Sequence, residues 1–164
     1  MLIRHATIDD LKAISELESL AFPPGTACEE ESFRRRLTHY PSHFWLVFDT
    51  LESDLTLVSF SDGLVTDACD LTDEMYDRAD MHNEAGAWQM IFGLVTHPQY
   101  RQRGYATAAL TAAISQAKKE ARQGLVLTCK EALIHYYAKF GFINEGRSVS
   151  THGDTVWYQM RLTF

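Results

Sequence analysis

One stretch constrains this chain more than any other: Trp88–Ala117, WQMIFGLVTHPQYRQRGYATAALTAAISQA. Trp88 to His97 is rich in large apolar and β-branched residues and runs into Pro98, a pattern that reads as a strand and its end. Gly93 inside it marks a bulge or a close backbone approach. From Ala106 the apolar residues recur at Ala109, Leu110, Ala113, Ile114 and Ala117, one face of an α-helix. The two elements are joined by Arg101-Gln102-Arg103-Gly104. A helix N-terminus presents backbone N–H groups and the positive end of its dipole. With two arginines beside it, the turn is an anion site, and phosphate is the usual anion. No Gly-Lys-Ser/Thr follows, which excludes a Walker-type loop.

Composition narrows the partners. At 164 residues the chain suits a single domain with a substantial core, and 46% apolar residues argue against disorder. A net charge of −7 is wrong for nucleic acid. A basic turn in an acidic chain suggests one small polyphosphate site, with the acidic remainder favouring a cationic co-substrate. Cys28, Cys69 and Cys129 show neither metal spacing nor a CxxC pair, so no metal is expected, and reduced thiols suit a cytoplasmic protein. The opening MLIRHATIDDL lacks a signal-peptide apolar region, and no run approaches the roughly 20 apolar residues of a membrane span. Neither a membrane nor a nucleic acid is therefore expected as a partner.

The remaining elements follow from periodicity. Leu2 to Ala6 is a short strand. Thr7 and Asp10 form a capping box for a helix from Ile8 to Ala21, with Leu11, Ile14, Leu17 and Ala21 inward. Phe22-Pro23-Pro24-Gly25 stops it, and Thr26 is a candidate cap for a second helix over Glu29–Thr38. The acidic and basic runs of that helix, Glu29–Glu31 and Arg34–Arg36, suit its dipole and read as solvated faces. His43–Asp49 and Leu55–Phe60 form an antiparallel pair turning at Glu52, Ser53 and Asp54. Residues 66–87 are irregular and acidic, helical over Leu71 to Ala79; they read either as an acidic lid that recruits an ammonium or as a solvated insertion. Leu125–Cys129 is a buried strand, Glu131–Phe140 a helix with Leu133, Tyr136, Tyr137 and Phe140 on one face, and Gly141 its C-terminal glycine. A hairpin about His152-Gly153-Asp154 closes the chain.

Arg101–Ala106, R-Q-R-G-Y-A, resembles the Arg/Gln-x-x-Gly-x-Gly/Ala turn of the GNAT superfamily of acyl-CoA-dependent N-acyltransferases. Cys129–Phe142, CKEALIHYYAKFGF, resembles the second signature of that family, and IRHATIDDLKAISELESLAFP its first strand and helix. Within the superfamily the chain is most similar to the arylalkylamine (serotonin-type) branch, through LTCKEALIHYYAKFGF and SLAFPPGTACEEESF. The resemblance implies an α/β (α+β) fold. Its mixed, mostly antiparallel sheet has about seven strands, with strands 4 and 5 splayed, flanked by about four helices. It implies acetyl-CoA as co-substrate. The pyrophosphate would lie on Gln102, Arg103, Gly104, Tyr105, Ala106 and Thr107, and the pantetheine would add to the backbone of Leu94, Val95 and Thr96 as an extra strand.

Acetyl transfer needs a neutral amine, a stabilised oxyanion and a proton for the departing thiolate. By the resemblance, Tyr137 is the general acid. Two histidines of the arylalkylamine branch are replaced here by Met90 and Phe92, which leaves His82, Glu84 and His97 as candidates for a base acting through water. Nearby carboxylates would raise the pKa of His82. Lys130 stands where the family often has Asn. The expected activity is acetylation of a primary amine on a small molecule, by direct attack in a ternary complex. The alternatives are acetylation of a peptide or protein N-terminus and a non-catalytic acyl-CoA sensor. A homodimer is consistent with the family.

Overall fold

The computed structural model describes residues 1–51 and 54–164, so Glu52 and Ser53 of the predicted turn lie outside the described residues. In chain order the elements are β1 (Leu2–His5), α1 (Leu11–Ala21), α2 (Glu30–His39), β2 (Phe44–Asp49), β3 (Thr56–Asp62), β4 (Val65–Thr66) and α3 (Asp73–Asp77). They continue with β5 (Trp88–Ile91), β6 (Gly93–Thr96), α4 (Tyr105–Lys119), β7 (Gly124–Cys129), α5 (Ile134–Ala138), β8 (Ile143–Arg147) and β9 (Tyr158–Thr163). The architecture is the mixed α/β one expected, with nine strands and five α-helices among the described residues. The two additional strands arise because the central run is cut at Phe92 into β5 and β6, and because residues 65–66 pair as a short β4. The additional helix is α3 in the acidic segment. The chain forms two compact units, residues 1–62 with 93–113 and residues 63–92 with 114–164.

The first unit carries the antiparallel sheet β1-β2-β3-β6. β2 is buried along its whole length, as its apolar run Phe44–Phe48 requires of a central strand, and closes on buried Asp49. In front of α1, the Thr7 N–H donates to Asp10 at 2.8 Å and the Asp9 N–H to Thr7 Oγ1 at 3.3 Å, completing the predicted capping box. Leu11, Ile14 and Leu17 of α1 point into the core. α2 is capped at Glu29 rather than Thr26, whose hydroxyl instead donates to the Pro23 carbonyl at 2.8 Å within the preceding turn. The basic run is not uniformly solvated either. Phe33, Arg36, Leu37 and Tyr40 share one face at i, i+3, i+4 and i+7, so Arg36 turns inward and meets buried Asp62 at 3.0 Å. Phe33 packs edge-on against Phe60 and Phe44 beside it.

The second unit carries the sheet β4-β5-β7-β9-β8, in which β5 and β7 run parallel and the other neighbours antiparallel. A Cβ at Gly124 would fall 1.9 Å from the Leu162 carbonyl oxygen, so only glycine lets β7 and β9 approach at that register. The acidic segment is docked on this sheet. Asp73 accepts from the Ser150 hydroxyl at 2.5 Å and the Thr151 N–H at 3.1 Å. Asp70 accepts from Gln159 and Arg161, both at 2.9 Å. The Arg161 guanidinium lies 4.6 Å over the Trp88 ring and is also paired with Glu145. The helix predicted over Glu131–Phe140 is shorter: a 3₁₀ turn at Glu131–Leu133 precedes α5, leaving Leu133 exposed while Tyr137 is buried.

Glu18 of α1 is 7% exposed and accepts the Cys28 N–H at 3.1 Å, pinning the turn between α1 and α2. Burial pushes its carboxyl up to about 7, against the opposing pull of the Cys28 bond and Arg36. A carboxyl whose folded pKa is raised contributes its full stability below the unfolded value and loses it as pH climbs through the folded one. Thermal unfolding should therefore show stability falling between about pH 4.5 and 7 by on the order of 1–3 kcal/mol on account of this group. Glu18→Gln keeps an oxygen for Cys28 and should flatten that window. An unchanged slope in the variant would show that Glu18 ionises freely in the folded protein.

Candidate functional site

The turn before α4 is built from two left-handed residues. Gln102 has φ 62° and Gly104 φ 86°, on either side of Arg103. Alternation of this kind curls successive backbone N–H groups toward a common centre, an anion-binding arrangement. Nothing lies within 4 Å of a Cβ placed on Gly104, so its conformation, and not crowding, calls for glycine. Residues 101–104 are exposed. Tyr105, by contrast, is buried in a cluster with Val47, Val58 and Ala109 that fixes the helix start to the first unit's sheet. The Arg103 guanidinium lies 5.1 Å over the Tyr100 ring, which holds its charge beside the turn. Ala106 and Thr107 follow in the first turn of α4, where helix N–H groups point outward.

Among the described residues β6 ends the first unit's sheet, pairing with β3. The His97 N–H donates to the Val58 carbonyl at 2.8 Å, and antiparallel alternation then places the backbone groups of Val95 and Gly93 on the β3 side. Ser59 and Ser61 hydroxyls add bonds to those two carbonyls, at 2.6 and 2.9 Å. Leu94 and Thr96 therefore present their N–H and C=O groups on the opposite edge. Gly93 makes no unusually close approach: a Cβ there would sit 3.6 Å from Asp62 Oδ1, an ordinary contact, and the interruption of the strand falls at Phe92.

In the second unit Tyr137 is buried on α5, with Tyr136 at 5.2 Å and Phe142 at 6.0 Å between ring centroids. Burial first, then neighbouring Cys129, Tyr136 and Tyr76, hold its phenol well above the ordinary range, so it stays protonated. Cys129 is likewise pushed up to about 11 by burial.

His82 and Glu84 are brought together, but as part of the frame. His82 Nδ1 accepts the Val65 N–H at 3.0 Å, which fixes the proton on Nε2, and Nε2 meets Glu84 Oε2 at 2.7 Å. Both ring nitrogens of the expected base are thus engaged. His97 serves as a cap: its Nδ1 accepts the Gln99 N–H at 3.1 Å and its ring packs edge-on against Tyr100. Met90 is fully buried. A groove of about 580 Å³ in the second unit is lined by Asp67, Glu84, Gly86, Glu120, Arg122 and Gln123, and Tyr137 is not among its walls. Its cation is spent, because Arg122 binds Glu120 and the carbonyls of Glu84 and Gly86.

One group of residues escaped the sequence reading. Tyr76 of α3 lies 4.6 Å from the Phe92 ring, and its hydroxyl is 3.3 Å from Thr128 Oγ1. The available signal was a single aromatic residue within an otherwise acidic helical segment.

The acetyltransferase (GNAT) family model matches residues 11–142. No curated protein matches the chain by sequence. Among solved structures, the loading GNATL domain of CurA from Lyngbya majuscula superposes with a TM-score of 0.83 at 14% identity, over 99% of this chain and 96% of that one. The GphF GNAT-like decarboxylase in complex with isobutyryl-CoA gives 0.81 at 16%, over 99% of both. The ribosomal-protein-S18-alanine N-acetyltransferase from Escherichia coli gives 0.70 at 16%, over 99% and 92%. At these identities the likeness is one of fold.

Gly104→Ala tests the turn directly. A Cβ at φ 86° costs roughly 1 kcal/mol, and the strain falls on the N–H groups that would grip a phosphate. Titration calorimetry with coenzyme A should show affinity reduced about fivefold or more, whereas Lys139→Ala, at the exposed position just past α5, should leave it unchanged. Equal affinity in the Gly104 variant and the parent would remove the turn from the binding site.

Proposed function

Since the chain belongs to the GNAT acetyltransferase family, we propose that it transfers the acetyl group of acetyl-CoA to the primary amine of a small molecule. The observation that carries this reading is the left-handed turn at Gln102 and Gly104 opening onto α4. Gln102, Arg103, Gly104, Tyr105, Ala106 and Thr107 hold the pyrophosphate through main-chain N–H groups and the Arg103 charge. The outward backbone groups of Leu94 and Thr96 pair with the pantetheine amides, and Val95 keeps the strand on β3. The coenzyme-bound state of GphF supports an acyl-CoA ligand for this fold.

The amine nitrogen attacks the thioester carbon, the carbonyl π bond opens to an oxyanion, and its return expels the sulfur as a thiolate. Tyr137 gives that thiolate its proton; the surplus proton of the attacking nitrogen leaves to solvent water and the phenolate is reprotonated from it, so that one proton passes from amine to thiol overall. A phenol held above the ordinary range is a reluctant donor to an ordinary thiolate, but the same dry surroundings raise a sulfur too, as they raise Cys129 to about 11. The two acidities are therefore drawn together. His82 has its lone pair on Val65 and Glu84 holds the imidazole proton, so this pair orients the acidic segment. The amine then enters in its neutral form from solution.

Tyr137→Phe should lower thiol release from acetyl-CoA with a good amine by about 10²-fold while coenzyme affinity stays within twofold. In the parent, kcat/KM should rise tenfold per pH unit until the amine itself is neutral, with no alkaline loss from Tyr137 below pH about 10. Turnover in the phenylalanine variant at the parent rate would refute the assignment. Coenzyme binding without turnover across a broad amine panel would point to a sensor, and turnover of peptides alone to an N-terminal acetyltransferase.

A further inference from the structure

Two serines, Ser59 and Ser61, stand on β3 beside Val58 and Phe60, and both are fully buried. A buried hydroxyl needs a partner, and these two find partners of the same kind. Ser59 donates to the Val95 carbonyl at 2.6 Å and Ser61 to the Gly93 carbonyl at 2.9 Å. Phe60 stands opposite Val95 and Asp62 opposite Gly93, so both carbonyls already face β3 and belong to its ladder. A carbonyl oxygen has two lone pairs, and each serine hydroxyl takes the one the ladder leaves over. Thr96 Oγ1 lies 3.2 Å from Ser59 Oγ. The Ser59 proton is already given to Val95, so Thr96 is the donor in that contact.

Each of these carbonyls shares a planar trans peptide group with the N–H of the next residue. The two ends of such a group point in opposite directions. The Val95 carbonyl faces β3, and the Thr96 N–H joined to it faces outward. The Gly93 carbonyl and the Leu94 N–H are related in the same way. A hydrogen bond accepted by the carbonyl draws electron density through the amide and makes its N–H a stronger donor. Chains of hydrogen bonds reinforce one another in this manner by about 10–30% per bond. For Thr96 the chain begins on its own side chain: it passes from the Thr96 hydroxyl to Ser59, then to the Val95 carbonyl, and returns to the Thr96 N–H.

We infer that Ser59 and Ser61 are positioning residues for the pantetheine arm, acting through the Val95–Thr96 and Gly93–Leu94 peptide groups to strengthen the two N–H donors on the outer edge of β6. This rests on the coenzyme placement of the preceding subsection and names the residues that set its strength. Strengthened donors on a strand edge select amide carbonyl oxygens, the acceptors that pantetheine carries.

Ser59→Ala and Ser61→Ala remove one hydroxyl each and leave the ladder bond to the carbonyl in place. Ser59→Cys and Ser61→Cys keep the bulk and exchange a strong donor for a weak one. Titration calorimetry on each variant uses coenzyme A and 3′-phospho-ADP, the same molecule without its pantetheine. Coenzyme affinity should fall about two- to fivefold in each alanine variant and similarly in each cysteine variant, with 3′-phospho-ADP affinity held within about twofold. In the protein without ligand, NMR should show the Thr96 amide nitrogen and the Val95 carbonyl carbon moving upfield in Ser59→Ala. The Leu94 nitrogen and the Gly93 carbonyl carbon should do so in Ser61→Ala. Unchanged coenzyme affinity in the alanine variants, or an equal loss for both ligands, would overturn the role in binding. Resonances that stay in place would overturn the strengthening itself. A parent that binds neither ligand ends the coenzyme reading and the pantetheine role with it, while resonances that still move leave the strengthened edge standing.

Discussion

The first unit is organised around a charge pair that water does not reach. Arg36 of α2 and Asp62 at the end of β3 are both buried, 3.0 Å apart. Burial works against the guanidinium charge, and the Asp62 carboxylate outweighs it, holding Arg36 above its usual range. Removing either partner would leave the other charged in a dry interior, a loss of about 3–5 kcal/mol. The pair also has a positional role. Asp62 is the last residue of β3 and stands opposite Gly93, the first of β6, so the ion pair secures the register of the strand whose outer edge is offered to pantetheine. α2, far away in sequence from that strand, is thereby tied to its alignment.

The second unit is held by a different device, in which many modest polar bonds replace one costly pair. Asp70 and Asp73 of the acidic segment are bonded to Arg161 on the sheet and Ser150 on its loop, while Asp67 accepts the Ala87 N–H and so ties the two ends of the segment together. Arg161 links Asp70 and Glu145 while lying on Trp88. The segment contributes Tyr76 because these bonds fix α3 in place. The sequence left open a recruiting acidic lid and a solvated insertion for residues 66–87; within that stretch Asp70 is anchored to β9 and Asp73 to the loop before the terminal hairpin tip.

What could be read in advance followed from local rules. The turn at Arg101–Gly104, the helix after it, the Thr7–Asp10 capping box and the buried strands β2 and β7 all depend on residues close together in the chain. The errors arose where a distant part of the chain decided the outcome. His82 looked like a base poised among carboxylates, but the Val65 N–H, 17 residues earlier, occupies its lone pair. Arg36 looked solvated because its neighbours Arg34 and Arg35 are charged; its place on the Phe33–Leu37–Tyr40 face was visible, its partner Asp62 was not. Val95 was grouped with Leu94 and Thr96, although the alternation of a strand had to turn it toward β3 once the pairing was known. Tyr76 was missed because it meets residues 92, 128 and 152, all distant in the chain.

The three thiols differ in a way that has a practical consequence. Cys28 and Cys129 are pushed up to about 11, chiefly by burial, and so carry almost no thiolate near neutrality. Cys69 is exposed, and it sits in the acidic segment one residue before Asp70. A maleimide dye added to the native chain should therefore react first at Cys69, giving a fluorescent reporter on the segment that bears α3 without any engineered cysteine.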